Sequence, residues 1–250
     1  MDNVVCFGKS QRGFGHIASN KPNQDYYLIK KYRKGIVMAV SDGVGSRPLS
    51  NIGSRSACEA VDASFRRFLD SDKLGNEDLS SIFRERLLYL IHANWLFGLR
   101  NEDPRDCCAT LLFTVVIENR IFAGRLGDGC IYIRTDDTDF SIREEKKDSF
   151  TNITSSLNAG FDSDKWEFQE IPYNKLQIVS LATDGISEDV RKEFYPEFVK
   201  NLIQNFYSSN PHSRHRMLGT FLGKNWPVPR HTDDKTIVCL CSKSIITPDL

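Results

Sequence analysis

The sequence has no C-x-x-C pair among its seven cysteines, no hydrophobic run of membrane-spanning length and no excess of charge of either sign. Each absence removes a class of function. Without paired spacing there is no zinc-ribbon or thioredoxin-type centre, and Cys6, Cys58, Cys107, Cys108, Cys130, Cys239 and Cys241 read as small buried hydrophobes with reduced thiols. Cys239 and Cys241 alternate with Val238 and Leu240, which places both on one face of a strand. The most apolar internal segment, Ala109 to Ile117, is far short of the ~20 residues a spanning helix needs. Met1 to Ser10 lacks the basic start and long apolar stretch of an export signal. A cytoplasmic protein without membrane association is expected. Lys and Arg total 33 and Asp and Glu total 33, so bulk electrostatics favour neither nucleic acid nor an anionic membrane as partner. No repeat, low-complexity tract or interdomain linker breaks the chain, and residues 1–250 are expected to form a single domain. With the last strand so near the end, no room is expected for a separate sensor domain.

What is there suits a substantial core: 40% hydrophobic and 26% charged residues over 250 positions. Short strands are expected at Val4–Phe7, Tyr26–Ile29 and Ile36–Val40. Two helical stretches follow, Asn51 to Leu69 and a second that Asn76 can cap, with Glu77 and Asp78 in its first turn and apolar positions running to Trp95. Thr110–Ile117 and Arg120–Leu126 read as a hairpin, and Gly127-Asp128-Gly129 turns into Cys130–Arg134. Lys146 to Lys165 is polar and irregular. Trp166–Ile171 and Gln177–Ala182 are further strands. Ser187 is expected to cap a helix to Tyr207 with a kink or break at Pro196. A last helix covers about His212 to Leu222, and Thr236–Cys241 is the final strand. The order argues for an α+β fold of antiparallel sheets with helices outside, not a doubly wound parallel sheet.

Three Asp-Gly pairs stand out, at Asp42, Asp128 and Asp184, where composition predicts about one. Asp-Gly is good turn chemistry, but these pairs share a context. Ile36–Val40 runs into Asp42, Ile121–Leu126 into Asp128 and Ile178–Ala182 into Asp184, while Asp233-Asp234 precedes the strand at Thr236. Carboxylates at the ends of several buried strands converge on one rim, where they repel and raise one another's pKa. Few Arg or Lys lie beside them in sequence. Hard divalent ions with oxygen ligands are the economical counter-charge, and without a His/Cys cluster magnesium or manganese is favoured over zinc.

In this light the chain resembles the protein phosphatase 2C-like family over nearly its full length, in a divergent bacterial form. The resemblance rests on six segments in order: Gly15 to Asp25, Ala39 to Gly45, Ala109-Thr110-Leu111, Gly127-Asp128-Gly129, Ala182 to Ile186, and Asp233 to Val238. It implies two antiparallel sheets packed as a sandwich with helices on both outer faces. It also implies two or three Mn²⁺ or Mg²⁺ ions, held by Asp42 as a bridging ligand, the Gly43 carbonyl, Asp184 and Asp233. By the same resemblance Asp25 and Gln24 would act mainly through bound water, and Asp128 with Asp184 would hold a weaker third ion. The reaction implied is hydrolysis of phosphoserine or phosphothreonine in proteins by water activated between the ions, with a cognate Ser/Thr kinase as the opposing system. The stretch 146–165 falls where the family carries a variable flap beside the site.

Departures from the family pattern bear on phosphate and proton handling. Asn20 stands where animal relatives carry a phosphate-binding arginine, and Val44 where they carry a histidine expected to act as general acid. His16 and Lys21 are the nearby candidates for these duties, and His16 is the better one, for an imidazole can donate to a phosphoryl oxygen or protonate the leaving alkoxide. His231 lies close to Asp233. His92, His212 and His215 sit in helical stretches and are expected to be structural. Asp234 occupies a place where many relatives have Asn and is not expected to be a direct ligand. The alternative is a catalytically inactive relative that keeps the fold as a binding or regulatory module; the intact set Asp25, Asp42, Asp184 and Asp233 argues against it.

Overall fold

A computed structural model describes residues 3–70, 79–143, 155–227 and 232–243. In chain order the elements are β1 (Val4–Gln11), α1 (Phe14–Ala18), β2 (Tyr26–Lys31), β3 (Gly35–Ser41), α2 (Ser50–Asp70), α3 (Leu79–Gly98), β4 (Leu111–Ile117), β5 (Arg120–Leu126), β6 (Cys130–Thr135) and β7 (Asp139–Arg143). They continue with β8 (Glu167–Pro172), β9 (Leu176–Ala182), α4 (Asp184–Ser187), α5 (Tyr195–Tyr207), α6 (Pro211–Lys224) and β10 (Lys235–Ser242).

The strands form two five-stranded antiparallel sheets, ordered β1-β10-β9-β6-β7 and β2-β3-β4-β5-β8. Strands that read as unbroken apolar runs are buried on both faces. Along β3, Ile36, Met38 and Val40 join Leu112, Val116, Val179, Leu181, Val238 and Leu240 in the layer between the sheets. Val37 and Ala39 face the other way, into a layer with Ala57, Val61, Phe65, Ile91 and Trp95 of α2 and α3. The second sheet repeats the arrangement: Ile237, Cys239 and Cys241 of β10 pack outward against Tyr195, Val199, Leu202, Ile203 and Leu218 of α5 and α6. The result is the expected α-β-β-α stack, with Cys239 and Cys241 on the same face and every described cysteine free. Among the described residues no helix is long and apolar enough to cross a membrane.

Several local expectations change. The helix read from Ser187 to Tyr207 begins later: Ser187 is the last residue of α4 and caps no helix, and α5 starts at Tyr195. Pro196 lies in the first turn of α5, where a missing N–H costs nothing, so it starts a helix and kinks none. The edge strand β7 and the five-residue α1 lie outside the expected elements: β7 alternates only Phe140 and Ile142 with polar residues, and α1 is too short to carry a period. Asn76 with Glu77 and Asp78, part of the 146–165 stretch, and His231 lie outside the described residues.

Candidate active site

The register of the strands explains why the acids meet. Tyr26 pairs with Ser41, so Asp25 before β2 and Asp42 after β3 share one end of their sheet. Leu111 pairs with Leu126, bringing Thr110 and the β5–β6 turn to that end. In the other sheet Ala182 pairs with both Ile237 and Cys130, so Asp184, Asp233 and Asp128 emerge side by side. The turn that carries Asp128 crosses from one sheet to the other, with Gly127 and Gly129 both left-handed at φ 97° and 98°. An L side chain rarely adopts that backbone, so the two glycines shape this crossing.

The backbone around Asp42 is tightly fixed. Its N–H donates to Thr110 Oγ1 at 3.0 Å, its carbonyl accepts from the Thr110 N–H at 2.8 Å, and the next N–H, of Gly43, donates to the Gln24 carbonyl at 3.1 Å. One carboxylate oxygen from each of Asp42, Asp128 and Asp184 lies within 4.8 Å of the others. Asp25 faces Asp42, and Asp233 adds its charge to both Asp42 and Asp184. Thr183 joins the two halves: its hydroxyl donates to Asp25 Oδ2 at 2.8 Å and accepts from the Thr236 N–H at 3.1 Å.

Crowding these acids away from water disfavours their charged forms. Burial pushes Asp25 up to about 7, with hydrogen bonds from its neighbours opposing the rise. Asp184 rises to about 8 through burial and then the charges of Asp128 and Asp233. Asp42 is raised well above the carboxylate range by burial and by Asp25 and Asp184. Lys235, buried beside them, donates to the Asp233 carbonyl at 3.2 Å, and burial pulls its pKa down. Such a site calls for cations. The donor set is all oxygen, and the buried Asp25 Oδ1 and Gln24 Oε1 have no hydrogen-bond partner, so the residues fit hard divalent ions. The structure brings together Asp25, Asp42, Asp128, Asp184 and Asp233, with the Gly43 backbone among them.

His16 sits on α1 at the edge of this cluster. Its Nδ1 lies 2.9 Å from Oδ2 of Asp234, which also accepts the Gln24 N–H at 2.6 Å. Sequence reasoning set Asp234 aside, and nothing in the local sequence marks its partners. Asn20 follows the C-cap of α1 with φ 55°, a left-handed position that asparagine tolerates. Lys21 is exposed, and its carbonyl accepts from Arg12 at 3.1 Å. His92 is structural as expected, bonded through Nε2 to the Asn158 carbonyl at 2.8 Å and packed on Trp95 and Phe161. His215, on α6, lies 2.9 Å from Lys9 of β1. A cleft of about 640 Å³ opens at Gly127, lined by Arg125, Arg143, Lys165 and Lys192 together with Ser155 and Asp164.

Comparison with known proteins agrees with the fold. A family model described as protein phosphatase 2C matches residues 12–223. No curated protein matches by sequence. Solved structures with the same fold include a serine/threonine phosphatase from S. agalactiae (12% identity, 96% of this chain and 99% of that one, TM-score 0.66) and serine-threonine phosphatase 2C from Toxoplasma gondii (12%, 96% and 95%, 0.64). A third is RsbX in complex with magnesium (14%, 97% and 96%, 0.57).

Proposed function

The chain belongs to the protein phosphatase 2C family, and from that premise we propose that it is a Mn²⁺- or Mg²⁺-dependent protein serine/threonine phosphatase, acting as one catalytic domain in the cytoplasm against the output of a Ser/Thr kinase. The observation that carries the reading is the convergence of five strand-end aspartates, three of them with oxygens within 4.8 Å, at a rim where burial and mutual repulsion demand added positive charge.

Asp42, Asp184, Asp233 and the Gly43 carbonyl would hold two ions, Asp25 and Gln24 would reach them through water, and Asp128 would help Asp184 with a third. Divalent ions at such a centre supply a water nucleophile and neutralise phosphoryl oxygens during in-line displacement. The chain's own part is preorganisation. Thr110 and Gln24 lock the Asp42-Gly43 backbone, Thr183 fixes Asp25, and little needs to move as charge develops on the phosphoryl group. His16, at the edge of the cluster, is the residue we assign to proton transfer to the leaving oxygen. In the adjacent cleft Arg125 is paired with Glu167, and Arg143, Lys165 and Lys192 outnumber the remaining acid, Asp164, an excess that suits an anionic phosphoprotein segment.

The test is hydrolysis of p-nitrophenyl phosphate and of a phosphothreonine peptide after chelation and re-addition of Mn²⁺ or Mg²⁺. Activity is expected only with the metal. Full activity after exhaustive chelation, or none with either ion, would sink the proposal.

A further inference from the structure

Asp234 is built into the molecule in a way that the metal-binding reading does not use. Its side chain is 0% exposed and takes three donors. Oδ1 accepts the Gly13 N–H at 2.7 Å, while Oδ2 accepts the Gln24 N–H at 2.6 Å and faces His16 Nδ1 at 2.9 Å. Asp234 itself follows Asp233, and two of its partners are backbone amides: that of Gln24, which precedes Asp25, and that of Gly13 at the start of α1. The third is the ring of His16, 17% exposed and therefore able to meet a substrate.

The rest of α1 is docked by backbone alone. None of its five residues is buried, and the Gly15 N–H donates to the Thr232 carbonyl at 2.9 Å. Gly13 packs so closely that an added Cβ would lie 2.3 Å from the Asp233 carbonyl. With so little side-chain burial to orient this short helix, the direction of the imidazole depends on its bond to Asp234. Backbone amides can only donate, so they define the Asp234 oxygens as acceptors, and the hydrogen of the His16–Asp234 bond belongs to Nδ1. Nε2 is then the nitrogen left for chemistry, and among the described residues nothing bonds to it.

Resting on the phosphatase reading above, we propose that Asp234 is a positioning residue for His16. It fixes the Nδ1–H tautomer and the ring orientation, so that Nε2 serves the leaving seryl or threonyl oxygen. As the ester P–O bond breaks and the water oxygen forms the new one, the Nε2 proton of the imidazolium passes to the departing alkoxide. The ring, left neutral with its hydrogen on Nδ1, regains a proton from solvent, which has received the one lost by the attacking water.

The experiment compares Asp234→Asn, His16→Gln and the double variant with the wild type, in Mn²⁺, on a phosphothreonine peptide and on p-nitrophenyl phosphate, whose leaving group departs without a proton. Each single variant is expected to lose about 10²–10⁴-fold on the peptide and far less on p-nitrophenyl phosphate. The double variant should lose no more than the worse single one, because the two residues act as a unit. Equal losses on both substrates, or a double variant that multiplies the single losses, would overturn the proposal and leave Asp234 a structural clamp. A second readout needs neither activity nor a variant that folds well. Imidazole ¹⁵N shifts of the wild type, followed with rising pH until the imidazolium has lost one proton, should show Nδ1–H as the neutral tautomer at His16, one of five histidines to resolve; a neutral Nε2–H tautomer there would overturn it too. A wild type with the expected tautomer that hydrolyses neither substrate would instead overturn the phosphatase reading, and the proton-transfer role with it.

Discussion

Thr183 Oγ1 donates to Asp25 Oδ2 across the two sheets at 2.8 Å. Thr183 follows β9 in one sheet, and Asp25 precedes β2 in the other. Over most of their interface the sheets meet through apolar side chains, which resist sliding only by packing. At the rim a directed bond sets how far the acids of one sheet stand from those of the other. The same Oγ1 accepts the Thr236 N–H, so one hydroxyl ties Asp25, the approach to Asp184 and the start of β10 into a single unit. It also leaves Asp25 with one buried oxygen, Oδ1, lacking a hydrogen-bond partner.

Thr183→Val keeps the shape and removes this tie. The buried Thr236 amide loses its acceptor, a change that costs about 1–3 kcal/mol. In a domain of this size each kcal/mol lowers Tm by about 2–4 °C. Thr183→Ser should recover most of the loss. An unchanged Tm in the valine variant would show that the hydroxyl contributes nothing.

Stability of the metal-free protein should depend on pH with an unusual sign. Asp184 has its pKa raised from 3.8 to about 8, and Asp25 from 3.8 to about 7. Between pH 4 and 8, as these values imply, the folded state binds more protons at these sites than the unfolded chain does, so stability falls as pH rises through that window. Melting curves in chelator should therefore show a higher Tm near pH 5.5 than near pH 8, and Mn²⁺ should restore the loss at pH 8. A chelated protein more stable at pH 8 would contradict the crowding of these carboxyls.

Asp42→Asn separates stability from activity. Asp42 is the most crowded of the set, raised by burial, Asp25 and Asp184 together. Removing its charge should raise the metal-free Tm at pH 8 while cutting turnover by at least about 10²–10³-fold, the cost of one preorganised electrostatic contact. Wild-type turnover at limiting metal would remove Asp42 from the centre.

How much of this could be read in the sequence follows from how local each signal is. Asp42, Asp128 and Asp184 end apolar runs of strand length, so their convergence was legible, as was the α+β layering from the order of strands and helices. The His16–Asp234 pair was not, since 218 residues separate the partners and an Asp-Asp pair before a strand does not say which member points inward. Lys235 was missed for the same reason: in sequence it is a polar residue at a strand start, whereas in the fold it is buried beside the acids. Pro196 was misplaced because proline both breaks and begins helices, and only the packing of Tyr195 against Tyr132 and Phe198 shows where α5 begins.

Asp128 has two possible duties, shaping the β5–β6 turn or holding charge at the cluster. The backbone separates them. The left-handed positions are Gly127 and Gly129, with φ of 97° and 98°, and their freedom makes the turn whatever side chain stands between them. The Asp128 carboxylate instead contributes an oxygen to the group with Asp42 and Asp184, and its charge is the largest cause, after burial, of the rise at Asp184. Asp128→Ala should therefore leave the fold intact and lower the Asp184 pKa toward the ordinary range. Metal-free stability at pH 8 should rise, since one repulsive neighbour is gone. Calorimetric titration with Mn²⁺ should lose its weakest site and keep the tighter ones, with slower turnover. A lower Tm together with unchanged metal stoichiometry and unchanged rate per folded molecule would assign Asp128 to the turn after all.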